Sequence, residues 1–239
     1  MARLRVEIIS KGAAKPIERG VLTAWSCKWG GLSRLAPRIL VSRSESALGS
    51  GHSSPGIHEF RKTVSVDFFV VPTIRFQILY VFLVLAHERR RILHFAVTAH
   101  PTAEWTAQQM REAFPWDTVP RYLLRDRDRI FGQEFVKQVT AMGIKQVLSA
   151  PRSPWQRAYV ERVIGTIRHE CLDHLIVFNE YSLHRHLQAF VDYYHRHRVH
   201  LALAKDTPEP RPIQPPECGR IVSIPVLGGL HHRYERRSA

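Results

Sequence analysis

A chain of 239 residues with 44% hydrophobic content is long enough for one large domain, or a domain with an arm, and can bury a core. Its formal net charge of +14 and pI near 10.3 point to a polyanionic partner, nucleic acid before membrane. Cys27, Cys171 and Cys218 are odd in number and far apart, which excludes a disulfide framework or a CxxC metal knuckle and makes a reducing cytosol the default.

Residues 1–60 contain no Asp and hold no persistent helical period. Gly49-Ser-Gly-His-Ser-Ser-Pro-Gly56 is rich in turn formers, so this part reads as an irregular N-terminal arm, degenerate or disordered. It has no long apolar run of the signal-peptide kind.

From Arg61 the pattern changes. Thr63 to Val71 is β-branched and aromatic without a breaker and predicts a buried strand. Phe76 to Ala86 predicts a second strand and Arg91 to Thr98 a third, with Ala86 to Arg90 as the turn between them. The apolar run Ile78 to Ala86 is too short to cross a bilayer. Thr102 is positioned to cap a helix carrying Trp105, Met110, Ala113 and Phe114. Val119 to Arg125 predicts a fourth strand ending at Asp126. Glu134 to Met142 predicts a helix closed by Gly143, and Ile144 to Leu148 a fifth strand.

A further helix follows, with Ser153 as N-cap and Pro154 in the first turn, where a missing N–H costs nothing. Val160, Val163, Ile164, Ile167 and Cys171 recur on one of its faces. Three adjacent strands followed by alternating helices and strands imply an α/β fold, a mixed five-stranded sheet covered on both sides. Tyr181 to Leu203 reads as one helix with apolar Leu183, Leu187, Phe190, Val191 and Tyr194. Its His184, His186, His195, His197 and His200 are accompanied by no Cys or acid cluster and read as a solvated, phosphate-friendly face.

Three acids stand out against this background. Asp67 lies inside the first strand, where an ionised carboxylate is costly unless paired or bound to a cation. Taken alone, it reads also as a core acid satisfied by backbone or an arginine. Asp126 stands at the C-terminal end of the fourth strand, where open sheets expose reactive groups, and Asp128 competes with it. Glu161 follows Asp126 by 35 positions. Carboxylates that converge repel one another unless divalent metal fills the gap, and oxygen-only ligation suits Mg²⁺ or Mn²⁺ better than zinc.

The stretches Val64-Ser-Val-Asp67, Arg125-Asp-Arg-Asp-Arg-Ile-Phe-Gly132 and Ser153-Pro-Trp-Gln-Arg-Ala-Tyr-Val-Glu161 occur in this order. With Tyr193 to Leu203 and Thr207-Pro208 they resemble the catalytic core of retroviral-type integrases and insertion-sequence transposases, the DDE family. The resemblance runs from about Val64 to Pro208 and implies an RNase-H-like fold. It further implies Asp67, Asp126 and Glu161 as catalytic residues and ligands of two Mg²⁺ or Mn²⁺ ions. The reaction it implies is DNA cleavage and strand transfer, as in DNA integration and transposition of a bacterial-type insertion element.

Arg168 matches a basic position that contacts donor DNA in the family; taken alone it reads also as a helix-surface arginine. Arg157 stands where relatives carry an amide that touches the DNA end; an arginine keeps phosphate affinity and loses the amide's hydrogen bonding. No zinc module or helix-turn-helix of the kind that precedes the core in relatives is legible in residues 1–60. Implied partners are DNA (element ends and target) and further copies of the chain as a homo-oligomer on DNA, with no membrane, in a prokaryotic cytoplasm at the nucleoid.

The domain reading is therefore an arm over 1–60, a catalytic core with its C-terminal helix over 61–204, and a Pro-rich, basic tail over 205–239 that lies along a DNA backbone. Two other readings stay open: a catalytically inactive remnant that only binds DNA, and an RNase-H-type nuclease that cleaves without joining.

Overall fold

The computed structural model describes residues 62–115, 118–150 and 157–238. The expected N-terminal arm and the Ser153–Pro154 helix start lie outside the described residues.

Five strands form one sheet: β1 (Thr63–Pro72), β2 (Ile78–Ala86), β3 (Ile92–Thr98), β4 (Tyr122–Arg125) and β5 (Lys145–Leu148), in the spatial order β3-β2-β1-β4-β5. The first three pair antiparallel, whereas β4 joins β1 and β5 joins β4 in parallel. The sheet is thus mixed, as expected. Central β1 and β2 carry the longest β-branched and aromatic runs, the composition of strands covered on both faces.

Helices α1 (Ala103–Ala113) and α2 (Gln133–Ala141) go with one face. There Val64, Val66, Phe82, Val84 and Leu123 share a buried cluster with Met110, Phe114, Phe135 and Val139. Helices α3 (Ala158–Glu170) and α4 (Glu180–Arg196) go with the other. There Phe69 and Val71 of β1 and the alternating Leu79, Val81, Leu83 and Leu85 of β2 meet the stripe Val160, Val163, Ile164, Ile167 and Cys171. Leu183, Leu187, Phe190 and Tyr194 of α4 complete that cluster.

Several boundaries differ from the expectation. The second strand begins at Ile78 because Phe76 turns with φ 60°, outside extended geometry, and projects into solvent. The fourth begins at Tyr122, where parallel pairing with Thr63 starts. The last helix ends at Arg196 rather than running to Leu203; the chain then turns through Leu201–Leu203 and closes a bridge between His200 and Asp206. Asp206, Thr207 and Pro208 are gripped by Arg89 from the β2–β3 turn, which donates to Asp206 Oδ2, the Thr207 carbonyl and the Pro208 carbonyl. Thr102 caps α1 as expected by accepting from the Trp105 N–H, and Gly143 follows α2 with φ +74°.

The histidine reading also needs correction. His195 and His200 are buried, and His195 Nε2 accepts from the Ile92 N–H at 3.0 Å, so these two serve the core rather than a solvated face. After a Pro-rich stretch with only one short helical turn, β6 (Arg220–Val226) and β7 (His231–Arg237) form an antiparallel hairpin. It is fastened by His231, which stacks on Tyr193 at 4.4 Å and lies 2.7 Å from the Glu170 carbonyl.

Candidate functional site

The parallel pairing of β1 with β4 ends at Ser65 and Leu124. Asp67 and Asp126 each lie two positions further on, so neighbouring strands deliver both acids to one level of the sheet. Asp67 shares its face of β1 with Phe69 and Val71, the face that packs on α3. Glu161 is in the first turn of α3, beside the buried Val160.

One guanidinium joins the three. Arg157, at the N-terminal boundary of α3, places Nη1 3.1 Å from Asp67 Oδ2 and 3.3 Å from Asp126 Oδ2, and Nη2 3.5 Å from Glu161 Oε1. The side chain of Arg157 is 15% exposed and that of Asp67 only 9%. Burial pushes the Asp67 carboxyl up to about 7; Arg157 opposes that rise, Asp126 adds to it, the Phe68 N–H opposes it and Glu161 adds a little. Glu161 is raised for the same first reason, again against the pull of Arg157.

Asp126, not Asp128, faces this cluster. Asp126 Oδ1 accepts from the Asp128 N–H at 3.1 Å, leaving Oδ2 for Arg157. Asp128 is exposed, and its Oδ1 accepts from the Ile130 N–H, so it shapes the loop. Arg125 braces the same loop from within: it donates to Gln146 Oε1 and the Asp126 carbonyl, both at 2.9 Å, and lies over the rings of Phe131 and Phe135. Sequence reasoning missed this role because Arg125 sits in a run that resembles an ordinary charged turn. The place of Arg157 was missed too, although its spacing of four from Glu161 puts both on one helix face.

Arg168, two turns beyond Glu161, donates to the Val70 carbonyl at 3.3 Å and lies over the Phe69 ring at 5.6 Å. It therefore borders the same strand without joining the acidic cluster. Beside the Asp126 loop, an open, shallow groove of about 700 Å³ is lined by Arg125, Arg127, Asp128, Arg129, Phe131 and Lys137 among others, with more positive than negative side chains.

As a donor set the three acids suit a hard divalent cation: all are carboxylates, and their shared partner is already a cation. The guanidinium stands among them, however. Among the described residues no group of three His, Cys, Asp or Glu stands close enough to hold one ion. Nor, among the described residues, is any helix long and apolar enough to cross a membrane.

Residues 142–208 match the family described as integrase core domain. No curated protein matches the chain. Among solved structures, a chain of the simian T-cell lymphotropic virus intasome in complex with PP2A regulatory subunit B56 gamma aligns with a TM-score of 0.51 at 15% identity. That alignment covers 73% of this chain and 66% of that one. The HTLV-2 integrase catalytic core domain in complex with magnesium aligns with a TM-score of 0.48 at 15% identity, over 62% of this chain and 93% of that one. The BIV integrase catalytic core domain gives 0.46 at 16% identity, over 62% and 91%. Over residues 142–208 the chain thus matches the integrase core family, and its described fold is the RNase-H-like fold of the integrase cores.

Proposed function

We propose that this chain is a DDE transposase or integrase of a bacterial-type insertion element, cleaving and transferring DNA strands with divalent metal. The observation that carries this reading is the meeting of Asp67, Asp126 and Glu161, from two neighbouring strands and a helix, at a single positive charge. Three carboxylates sharing one guanidinium are poorly explained by stability alone.

In this reading Asp67, Asp126 and Glu161 would hold two Mg²⁺ or Mn²⁺ ions. Such ions supply activation of an attacking water or 3′-hydroxyl and stabilisation of the leaving oxygen. The chain's own residues do the rest. Arg127, Arg129 and Lys137 attract the phosphate backbone beside Asp126, Arg125 holds the Asp126 loop at the strand end, and Arg157 and Arg168 contribute positive charge at α3. The segment 61–204 acts as the catalytic core, 205–239 as a basic tail along DNA, and 1–60 as an arm. DNA ends and target are the partners, with a homo-oligomer assembling on them at the nucleoid.

A second reading, an inactive remnant that only binds DNA, is favoured by one observation: every acid of the cluster is already paired with Arg157. Incubation with pre-cut terminal repeats and Mg²⁺ or Mn²⁺ separates the cases. Joined products are expected. Cleavage without joining would indicate an RNase-H-type nuclease, and binding alone the remnant.

A further inference from the structure

We propose that Arg157 is a built-in counter-cation that closes the acidic cluster, and that a DNA phosphate, by drawing its guanidinium away, opens the cluster to a divalent ion. The inference rests on the reading of these acids as a metal site. It goes beyond that reading by making metal and DNA binding mutually dependent through one side chain.

Geometry supports it in three ways. First, the guanidinium stands among all three carboxylates, and because guanidinium groups keep their charge in proteins it competes directly with an entering cation. Second, none of the three carboxylates forks it closely. Its contacts are 3.1–3.5 Å, longer than the roughly 2.7–2.9 Å of strong charge-assisted bonds, while Arg198 grips Glu170 at 2.6 and 2.7 Å. One charge spread over three acids also leaves the cluster net negative. Third, Arg157 sits at the boundary of α3 and makes no side-chain cap bond there, so its departure breaks the three ion pairs but no helix cap. The phosphates that the groove beside Asp126 would attract are ligands a guanidinium pairs with in bidentate fashion.

By linkage, whatever factor DNA adds to metal affinity, metal adds to DNA affinity. The test is Mn²⁺ binding to the full chain, followed by electron paramagnetic resonance with and without a short duplex, for the wild type and Arg157→Asn. A Glu161→Gln chain with the same duplex measures the Mn²⁺ held by the nucleic acid itself.

Without DNA, Arg157→Asn is expected to bind Mn²⁺ about tenfold more tightly than the wild type. DNA should tighten the wild type by about the same factor and leave the variant nearly unchanged, within the usual range of such couplings. Equal Mn²⁺ affinity in the two chains, or an equal DNA effect in both, overturns the proposal. Thermal unfolding checks that the variant folds. If it does not, the DNA dependence of the wild type decides, and its absence overturns the proposal.

Failure of the functional reading looks different. There the Mn²⁺ pattern appears but no strand is cut or joined. Conversely, joining activity together with equal Mn²⁺ affinities removes this inference and leaves the function standing.

Discussion

At the two ends of α3, arginines meet acids in contrasting ways. Arg198 clasps Glu170, the last residue of the helix, with Nε at 2.7 Å and Nη2 at 2.6 Å, a fork matched to a single carboxylate. Arg157, at the other end, spreads over three carboxylates at longer range. The Arg198 pair ties the chain after α4 to the end of α3 and has charge for charge. The Arg157 cluster concentrates uncompensated negative charge at a buried strand. The first arrangement is what stability favours; the second is what a site that takes up cations needs, at a cost to stability.

Removing one charge from each cluster should therefore have opposite consequences. Asp67→Asn is expected to reduce joining of pre-cut ends by roughly 10³-fold, the scale of a lost charge-stabilising group. Burial disfavours the ionised form of Asp67, so its folded-state carboxyl titrates above its unfolded value. Above that range the charge costs stability, and the variant should gain about 1–2 kcal/mol at pH 8 in denaturant unfolding. A loss of stability alongside the lost activity would make Asp67 a structural acid and remove the contrast.

Arg198→Ala should lose about 1–2 kcal/mol in the same unfolding measurement, since both partners are partly exposed. Its Mn²⁺ binding should match the wild type. A changed metal affinity would show that the two ends of α3 are coupled.

The smallest effect is expected of Arg168→Ala. Its guanidinium already contacts the Val70 carbonyl and the Phe69 ring, which leaves room for at most one phosphate. The slope of log affinity for DNA against log salt should fall by about one. An unchanged slope would make Arg168 a packing residue and confine the DNA contacts to the groove and Arg157.

The amino-acid sequence by itself determined the order of the five sheet strands and the helices between them, because local pattern and burial agree there, but not the hairpin of β6 and β7 in the basic tail. Thr63–Val71 is too β-branched and apolar to be anything but a covered strand, and the stripe from Val160 to Cys171 has only one face to bury. It also placed three acids on separate elements, with Asp67 in the strand and Glu161 on the helix. What it left open were matters of long-range partnership. Nothing local stops a helix at Arg196; the stop comes from the His200–Asp206 bridge and the hold of Arg89 on the following residues. Nothing local makes His195 a core residue; the Ile92 N–H does. The choice of Asp126 over Asp128 depended on which carboxylate the loop spends on its own backbone. The seat of Arg157 among the acids depended on α3 lying against β1, since a guanidinium finds three carboxylates only when the sheet and helix have brought them together.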